Sequence, residues 1–324
     1  MLRAGIIDCQ SHLYVPAVLD LLERSPGDPQ VYRKGTERWV RMGDWHRRVF
    51  PQHSDVDATV ATMDANGIAV TALSINDPGP EWFGPEAPAV ARLCNDFIAG
   101  AVRRHPERFL GLCVLPLLDA AAARAELDRC AQELGLRGIL LYTNLAGRFP
   151  DESDFRWLFA SAVELDLPVI LHPAKPVTLE TVKAYEMTSG LGNMFEDTVT
   201  LARLIMSGVL EEFPKLKLVC PHLGGALPFL IGRLNHQTQV LKRGPALPRT
   251  PLDYLRMVWF DVVSPLPEAI RFAVDLLGTE RLLFASDYPW VQPDVILQAL
   301  RQARLSAVQE QAILQGNARR LFRL

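Results

Sequence analysis

Three histidines and an aspartate stand where apolar, β-prone runs give way to polar residues. They are His12 after Ile6-Ile7-Asp8-Cys9-Gln10-Ser11, His172 after Val169-Ile170-Leu171, His222 after Val219-Cys220-Pro221, and Asp287 after Phe284-Ala285-Ser286. Residues two apart on a strand share a face, so Gln10 and His12 project together from the end of the first run. A His-x-His pair in that place is a common way to hold a metal; here the first position is glutamine. Imidazole and carboxylate suit Zn²⁺ and its first-row neighbours. Two or three neutral imidazoles with one carboxylate leave a position for water or substrate, and a metal there lowers the pKa of bound water. A histidine outside the coordination sphere could then take or return a proton.

Each residue also has a structural alternative. His12 or Asp287 could cap a turn, His172 could be a satisfied core histidine, and His222 could be oriented by backbone donors before Gly224-Gly225. Their joint placement at strand ends favours a site. The fourth strand ends in Tyr142-Thr143 with no lysine, so a mononuclear site is expected rather than two metals bridged by a modified lysine.

Eight short apolar runs position these groups. The first carries Ile6 to His12, and the others lie at 68–74, 109–115, 137–142, 168–171, 216–220, 257–261 and 281–285. Helical periodicity fills the intervals, at 55–66 closed by Gly67, 87–104 stopped before Pro106, 119–134 closed by Gly135, 154–165 and 195–213. Ser264 is placed to cap a helix with Pro265 and Pro267 in its first turn, and Ser306 with Gln309 forms a capping-box pattern. Strands alternating with helices imply a parallel sheet, and eight of them predict an α/β fold of the (β/α)₈ TIM-barrel type. No glycine-rich phosphate loop follows a strand, which argues against a nucleotide fold. Residues 25–56, with Trp39, Trp45 and Phe50 but weak periodicity, read as a functional or capping insertion after the first strand. A single domain over 1–324 is expected.

Composition narrows the partners. The 324 residues are 49% hydrophobic and 22% charged, with a net charge of −3 and interleaved signs, so no basic stripe suggests nucleic acid. No run reaches membrane-spanning length, and the start of the chain has no signal-peptide core. Five dispersed cysteines fit a reducing cytoplasm better than a disulfide framework.

Several longer stretches carry a resemblance: Asp8 to His12, Leu171-His172-Pro173, Glu211 to Lys217, His222-Leu223-Gly224-Gly225-Ala226-Leu227-Pro228-Phe229, Gly232-Arg233-Leu234, Ser286-Asp287-Tyr288-Pro289 and Gly316 to Phe322. Through them the chain resembles the amidohydrolase superfamily, in the amidohydrolase-2 branch typified by aminocarboxymuconate semialdehyde decarboxylase. The resemblance implies His12, His172 and Asp287 as metal ligands, with Gln10 where the family usually has its first ligand histidine. It implies His222 as the acid/base beside a metal-bound water, with Asp287 also in the catalytic group. Arg47, or its neighbour Arg48, would grip a substrate carboxylate, and Arg233 would be contributed across a homodimer interface. Zinc is the expected ion and manganese the alternative, with metal-free catalysis left open by Gln10. The implied activity is decarboxylation of a small carboxylate-bearing unsaturated or aromatic substrate. Hydrolysis of a lactone or amide by the same groups is the second reading, and a catalytically silent ligand-binding barrel the third.

Overall fold

The computed structural model describes residues 2–324. Eleven strands fall into two sheets. β1 (Ile6–Leu13) opens the chain; β2 (Gln30–Lys34), β3 (Glu37–Met42) and β4 (Trp45–Val49) follow as a small antiparallel sheet; then come β5 (Ile68–Ile75), β6 (Phe109–Cys113), β7 (Gly138–Tyr142), β8 (Val169–His172), β9 (Leu218–Cys220), β10 (Trp259–Asp261) and β11 (Leu282–Leu283). The eight strands outside the small sheet pair in parallel in chain order, from β1 through β5 to β11. The Cys9 amide donates to the Phe284 carbonyl, and His12 N to Tyr288 O, which brings the last strand back to the first. The result is a nearly closed (β/α)₈ barrel, as the alternation predicts.

Parallel strands covered by helices are buried on both faces and therefore read as continuous apolar runs. β5, Ile-Ala-Val-Thr-Ala-Leu-Ser-Ile, is buried along its whole length. Between strands, helices turn an apolar stripe inward: Ala87–Arg104 buries Val90, Ala91, Cys94, Ile98 and Ala101. Asp55 caps the helix Val56–Ala65 by accepting from the amides of Asp57 and Ala58, and Asp119 caps Ala120–Gln132 in the same way through Ala122. The Ser306–Gln309 capping box is present in both directions. No helix among the described residues is long and apolar enough to cross a membrane.

The insertion takes the form of the β2–β3–β4 meander, in which Trp45, Arg47 and Val49 turn inward while His46 and Arg48 face out. A buried arginine at the centre of that alternation hides its period. Two helix expectations are corrected. The helix expected over 195–213 is two, Asn193–Met206 and Val209–Glu212, because Gly208 adopts a left-handed φ of 83° that ends the first. Ser264 does not cap the helix Pro267–Leu277, whose N-cap is Leu266; its hydroxyl accepts from the Leu266 amide one turn earlier.

Candidate active site

Catalytic groups of such barrels stand at the C-terminal ends of the strands, and the structure gathers the sequence-marked residues there. His12 lies on β1, His172 ends β8, His222 follows β9 and Asp287 follows β11. Ligand atoms of His12, His172 and Asp287 all lie within 4.8 Å of one another. Asp287 Oδ1 is 3.2 Å from His12 Nε2 and 3.8 Å from His172 Nε2, and its Oδ2 is 3.7 Å from His222 Nε2. The two ring centroids of His12 and His172 are 4.2 Å apart, edge to face.

Hydrogen bonds on the far side of each ring fix what it presents to the centre. His172 Nδ1 lies 2.9 Å from the Pro173 carbonyl, which only accepts, so Nδ1 donates there and Nε2 is turned to the centre. Ser74 Oγ donates to Ser11 O and is 2.6 Å from His12 Nδ1, so it accepts from that nitrogen and leaves the neutral His12 ring its lone pair at Nε2. Such outer partners orient metal-bound histidines. Burial, and then the neighbouring His172, push the His12 pKa down to about 4, so its ring is neutral at pH 7. Burial alone would raise Asp287, but the three histidine rings gathered around it hold its carboxyl well below the usual range. His12 Nε2 and Gln10 Oε1 are buried polar atoms with no hydrogen-bond partner. Two imidazoles with Nε2 turned to the centre, an ionised carboxylate and an unpartnered amide oxygen are a donor set that fits a divalent cation. Gln10 Nε2 meanwhile donates to Asp287 Oδ1 at 3.2 Å.

His222 differs from the other two. Its Nδ1 is 2.8 Å from Asp197 Oδ2, on the helix Asn193–Met206. Burial opposes charging the ring, but the Asp197 carboxylate outweighs it and raises His222 well above an ordinary histidine. The loop that carries it is tight: His222 and Leu223 have φ of 53° and 56°, and a Cβ on Gly225 would stand 2.3 Å from the Met194 carbonyl oxygen. Asp261 accepts from the His222 amide and anchors that backbone. Asp287 itself sits at φ 60°, an unusual conformation for a non-glycine residue and one that clusters at functional sites.

The arginines part company. Arg47 is buried and reaches inward, with Nη1 2.5 Å from Asp77 Oδ1 and Nη2 donating to the Asp77 carbonyl. Its guanidinium lies 4.1 Å over the Trp45 ring. Arg48 is on the outward face of β4, paired with Glu37 at 2.7 Å and lying over Phe50, and is not brought to the cluster. Trp45 packs against Arg47, and Phe50 meets His53 edge to face. Arg233 is exposed on the helix Leu227–Asn235, beside a surface groove of about 530 Å³ shared with His236 and Arg243.

Asp197, Ser74, Asp77 and Asp261 were not singled out by sequence. Asp197 follows Glu196 in the first turns of an amphipathic helix, where acidic residues ordinarily face solvent and complement the helix dipole. Only the packed structure shows that both are buried.

With this geometry in hand, the chain belongs to the Amidohydrolase family, whose Amidohydro_2 family model matches residues 7–324. It is an enzyme of that superfamily, of the lyase or hydrolase type. It is 28% identical to a 2-amino-3-carboxymuconate-6-semialdehyde decarboxylase of Dictyostelium discoideum, over 85% of this chain and 79% of that protein. It is 30% identical to a gamma-resorcylate decarboxylase of Polaromonas, over 83% of this chain and 87% of the relative. Among solved structures, a dihydroxybenzoic acid decarboxylase of Polaromonas with bound manganese and 2-nitroresorcinol superposes with a TM-score of 0.82 at 25% identity, covering 99% of this chain and 98% of that one. These relatives act on small carboxylates, two of them aromatic by name.

Proposed function

We propose that this protein is a metal-dependent decarboxylase of a small aromatic or closely related unsaturated carboxylate. His12, His172 and Asp287 would hold one divalent cation, with the Gln10 amide oxygen at its edge. When bound, the cation would supply positive charge to hold the substrate's carboxylate and adjoining oxygen. Zinc and manganese both accept this nitrogen–oxygen set; the single carboxylate and the neutral amide tilt it toward the harder manganese, the ion named for the Polaromonas structure.

The observation that carries the reading is the buried His222–Asp197 pair beside Asp287. Asp197 keeps the imidazolium charged, and its Nε2 proton faces the Asp287 carboxylate. As the bond between the substrate carbon and its carboxyl group breaks, that bond's electron pair stays on the carbon and takes the proton from His222 Nε2. Carbon dioxide leaves, and the neutral imidazole recovers a proton from solvent. General acid catalysis of this kind contributes roughly 10²–10⁴-fold.

Arg233 and the exposed Phe229, Leu230 and Phe272 around it support a homodimer through this face. Five buried free cysteines support a reducing, cytoplasmic setting.

Carbon dioxide release from 2,6-dihydroxybenzoate and 2-hydroxybenzoate by the manganese-supplemented enzyme tests the function. His222→Ala is expected to abolish release while leaving the fold intact by circular dichroism. Undiminished release in that variant would remove His222 from the mechanism, and lactone or amide hydrolysis without release would replace the assignment.

A further inference from the structure

The barrel mouth holds a second polar cluster beside the three candidate ligands, built around the Arg47–Asp77 pair. Arg47 is 9% exposed and Asp77 1%, so the pair is out of water and electrically closed on itself. Around it lie buried polar atoms that make no hydrogen bond: Tyr14 Oη, Tyr142 Oη, Asn76 Nδ2, Arg47 Nε and Asp77 Oδ2. They are contiguous. Trp290 Nε1 donates to Asn76 Oδ1 at 2.7 Å, and the Trp290 ring lies 6.2 Å from Tyr14 and 5.4 Å from the Arg47 guanidinium. A Cβ on Gly79, two residues past Asp77, would stand 2.3 Å from the Tyr142 ring, so that ring packs directly on this loop. Tyr142 also meets His172 edge on, with centroids 6.0 Å apart. The cluster therefore adjoins the candidate metal ligands.

Buried polar groups are costly unless paired, and a set of them beside a reaction centre marks where substrate pairs with the protein. The set here is mixed. Two phenols, an amide NH₂ and a guanidinium NH donate, while Asp77 Oδ2 only accepts. Burial pushes both tyrosines upward, so they stay neutral donors. A hydroxyl both donates and accepts and can satisfy such a set. A carboxylate only accepts, and it would meet the free oxygen of Asp77 with like charge, while the cation that would attract it is already neutralised.

We propose that Asp77 sets substrate charge at this site: by closing the Arg47 pair it selects a monocarboxylate bearing an uncharged hydroxyl, and rejects a dicarboxylate of the same ring. The proposal rests on the decarboxylase reading above and narrows it to hydroxyaryl monocarboxylates. Asp77 and Arg47 act here as specificity-determining residues.

The test is calorimetric binding to the manganese-loaded full chain, using 2-hydroxybenzoate and 2-hydroxyisophthalate as the paired probes. The wild-type protein is expected to bind the monoacid at least about tenfold more tightly, near the scale of one unpaired or like-charged group. Asp77→Asn frees Arg47 and is expected to reverse or erase that ratio. Because that variant leaves a buried cation alone and can fail to fold, the neutral pair Arg47→Gln/Asp77→Asn is measured beside it and is expected to keep the wild-type preference within about threefold. A wild-type preference for the diacid, or a ratio unchanged in a folded Asp77→Asn protein, overturns the proposal. So does loss of the preference in the double variant. Carbon dioxide release is followed separately: release without selectivity sinks this inference alone, whereas selective binding without release from any acid sinks the decarboxylase reading alone. Binding of neither acid sinks both.

Discussion

His222 Nδ1 and Asp197 Oδ2 lie 2.8 Å apart, and the aspartate comes from a helix that packs against the turn carrying the histidine. The pairing makes a buried imidazole an acid that stays charged through neutral pH, which burial alone would prevent. Replacing Asp197 by asparagine keeps a hydrogen-bond acceptor but removes the charge. The His222 pKa then falls, and the protonated form is lost at lower pH. The basic limb of the kcat–pH profile is expected to move toward acid, with kcat at pH 7 down roughly 10²-fold. A profile of unchanged shape would show that Asp197 only positions the ring.

Gln10 is where this chain leaves the expected pair of histidines, and it touches Asp287 rather than standing apart. Its unpartnered buried oxygen is the natural fourth donor. Gln10→Ala is expected to weaken manganese binding by about 10–100-fold, the usual cost of losing a supporting group at a metal site. Gln10→His, which supplies a better donor, is expected to strengthen it and shift preference toward zinc. Competition with a chelator dye measures both without reference to turnover. Equal affinities in all three proteins would place Gln10 outside the site.

How much of this was legible in the chain depends on whether a residue's role is local. His172 before Pro173 and His222 before Leu223-Gly224-Gly225 end apolar runs, so their place in a barrel follows from strand order alone. Asp197 could not be read that way. Its burial comes from the helix resting on β9's loop, and a Glu-Asp pair in a first turn looks the same in solvent. Ser74 is an ordinary strand residue until β1 pairs with β5 and sets it against His12. The β2–β4 meander was hidden because Arg47 occupies an inward position that apolar alternation would assign to a hydrophobe. Its partner Asp77 lies 30 residues away, so the exception was visible but its compensation was not.

Gly224 and Gly225 hold the His222 turn by geometry rather than flexibility. Gly225 combines a φ of 60° with a Cβ position 2.3 Å from the Met194 carbonyl oxygen and 2.5 Å from Thr198 Oγ1. Gly147 has φ 94° but nothing within 4 Å of its Cβ position. Gly147→Ala therefore incurs backbone strain alone, on the order of 1 kcal/mol. Gly225→Ala must also displace helix backbone and is expected to cost about 3 kcal/mol or more, with loss of activity as His222 shifts. Urea unfolding of the two variants separates the contributions; equal midpoints would mean that the helix yields freely.

Glu81 gives the fold a pH dependence distinct from that of the site. It follows β5 in the turn Pro80–Glu86, is 6% exposed, and has one oxygen unpartnered. Burial raises its pKa from 4.5 to about 8. The folded state thus binds a proton that the unfolded chain releases above about pH 4.5. By linkage, the stability from the neutral carboxyl is fully present below pH 4.5 and is lost as pH rises through about 8. Asp8 and Asp261, raised by burial to about 7, act in the same direction from 3.8 upward. Stability is therefore expected to decline by several kcal/mol between pH 5 and 8, and above pH 7 Glu81 contributes to the decline together with the raised His222. Glu81→Gln keeps the shape and cannot ionise, so its denaturation midpoint is expected to fall less steeply between pH 7 and 8 than the wild-type midpoint. Parallel curves for the two proteins across that interval would show that Glu81 is already ionised in the folded state.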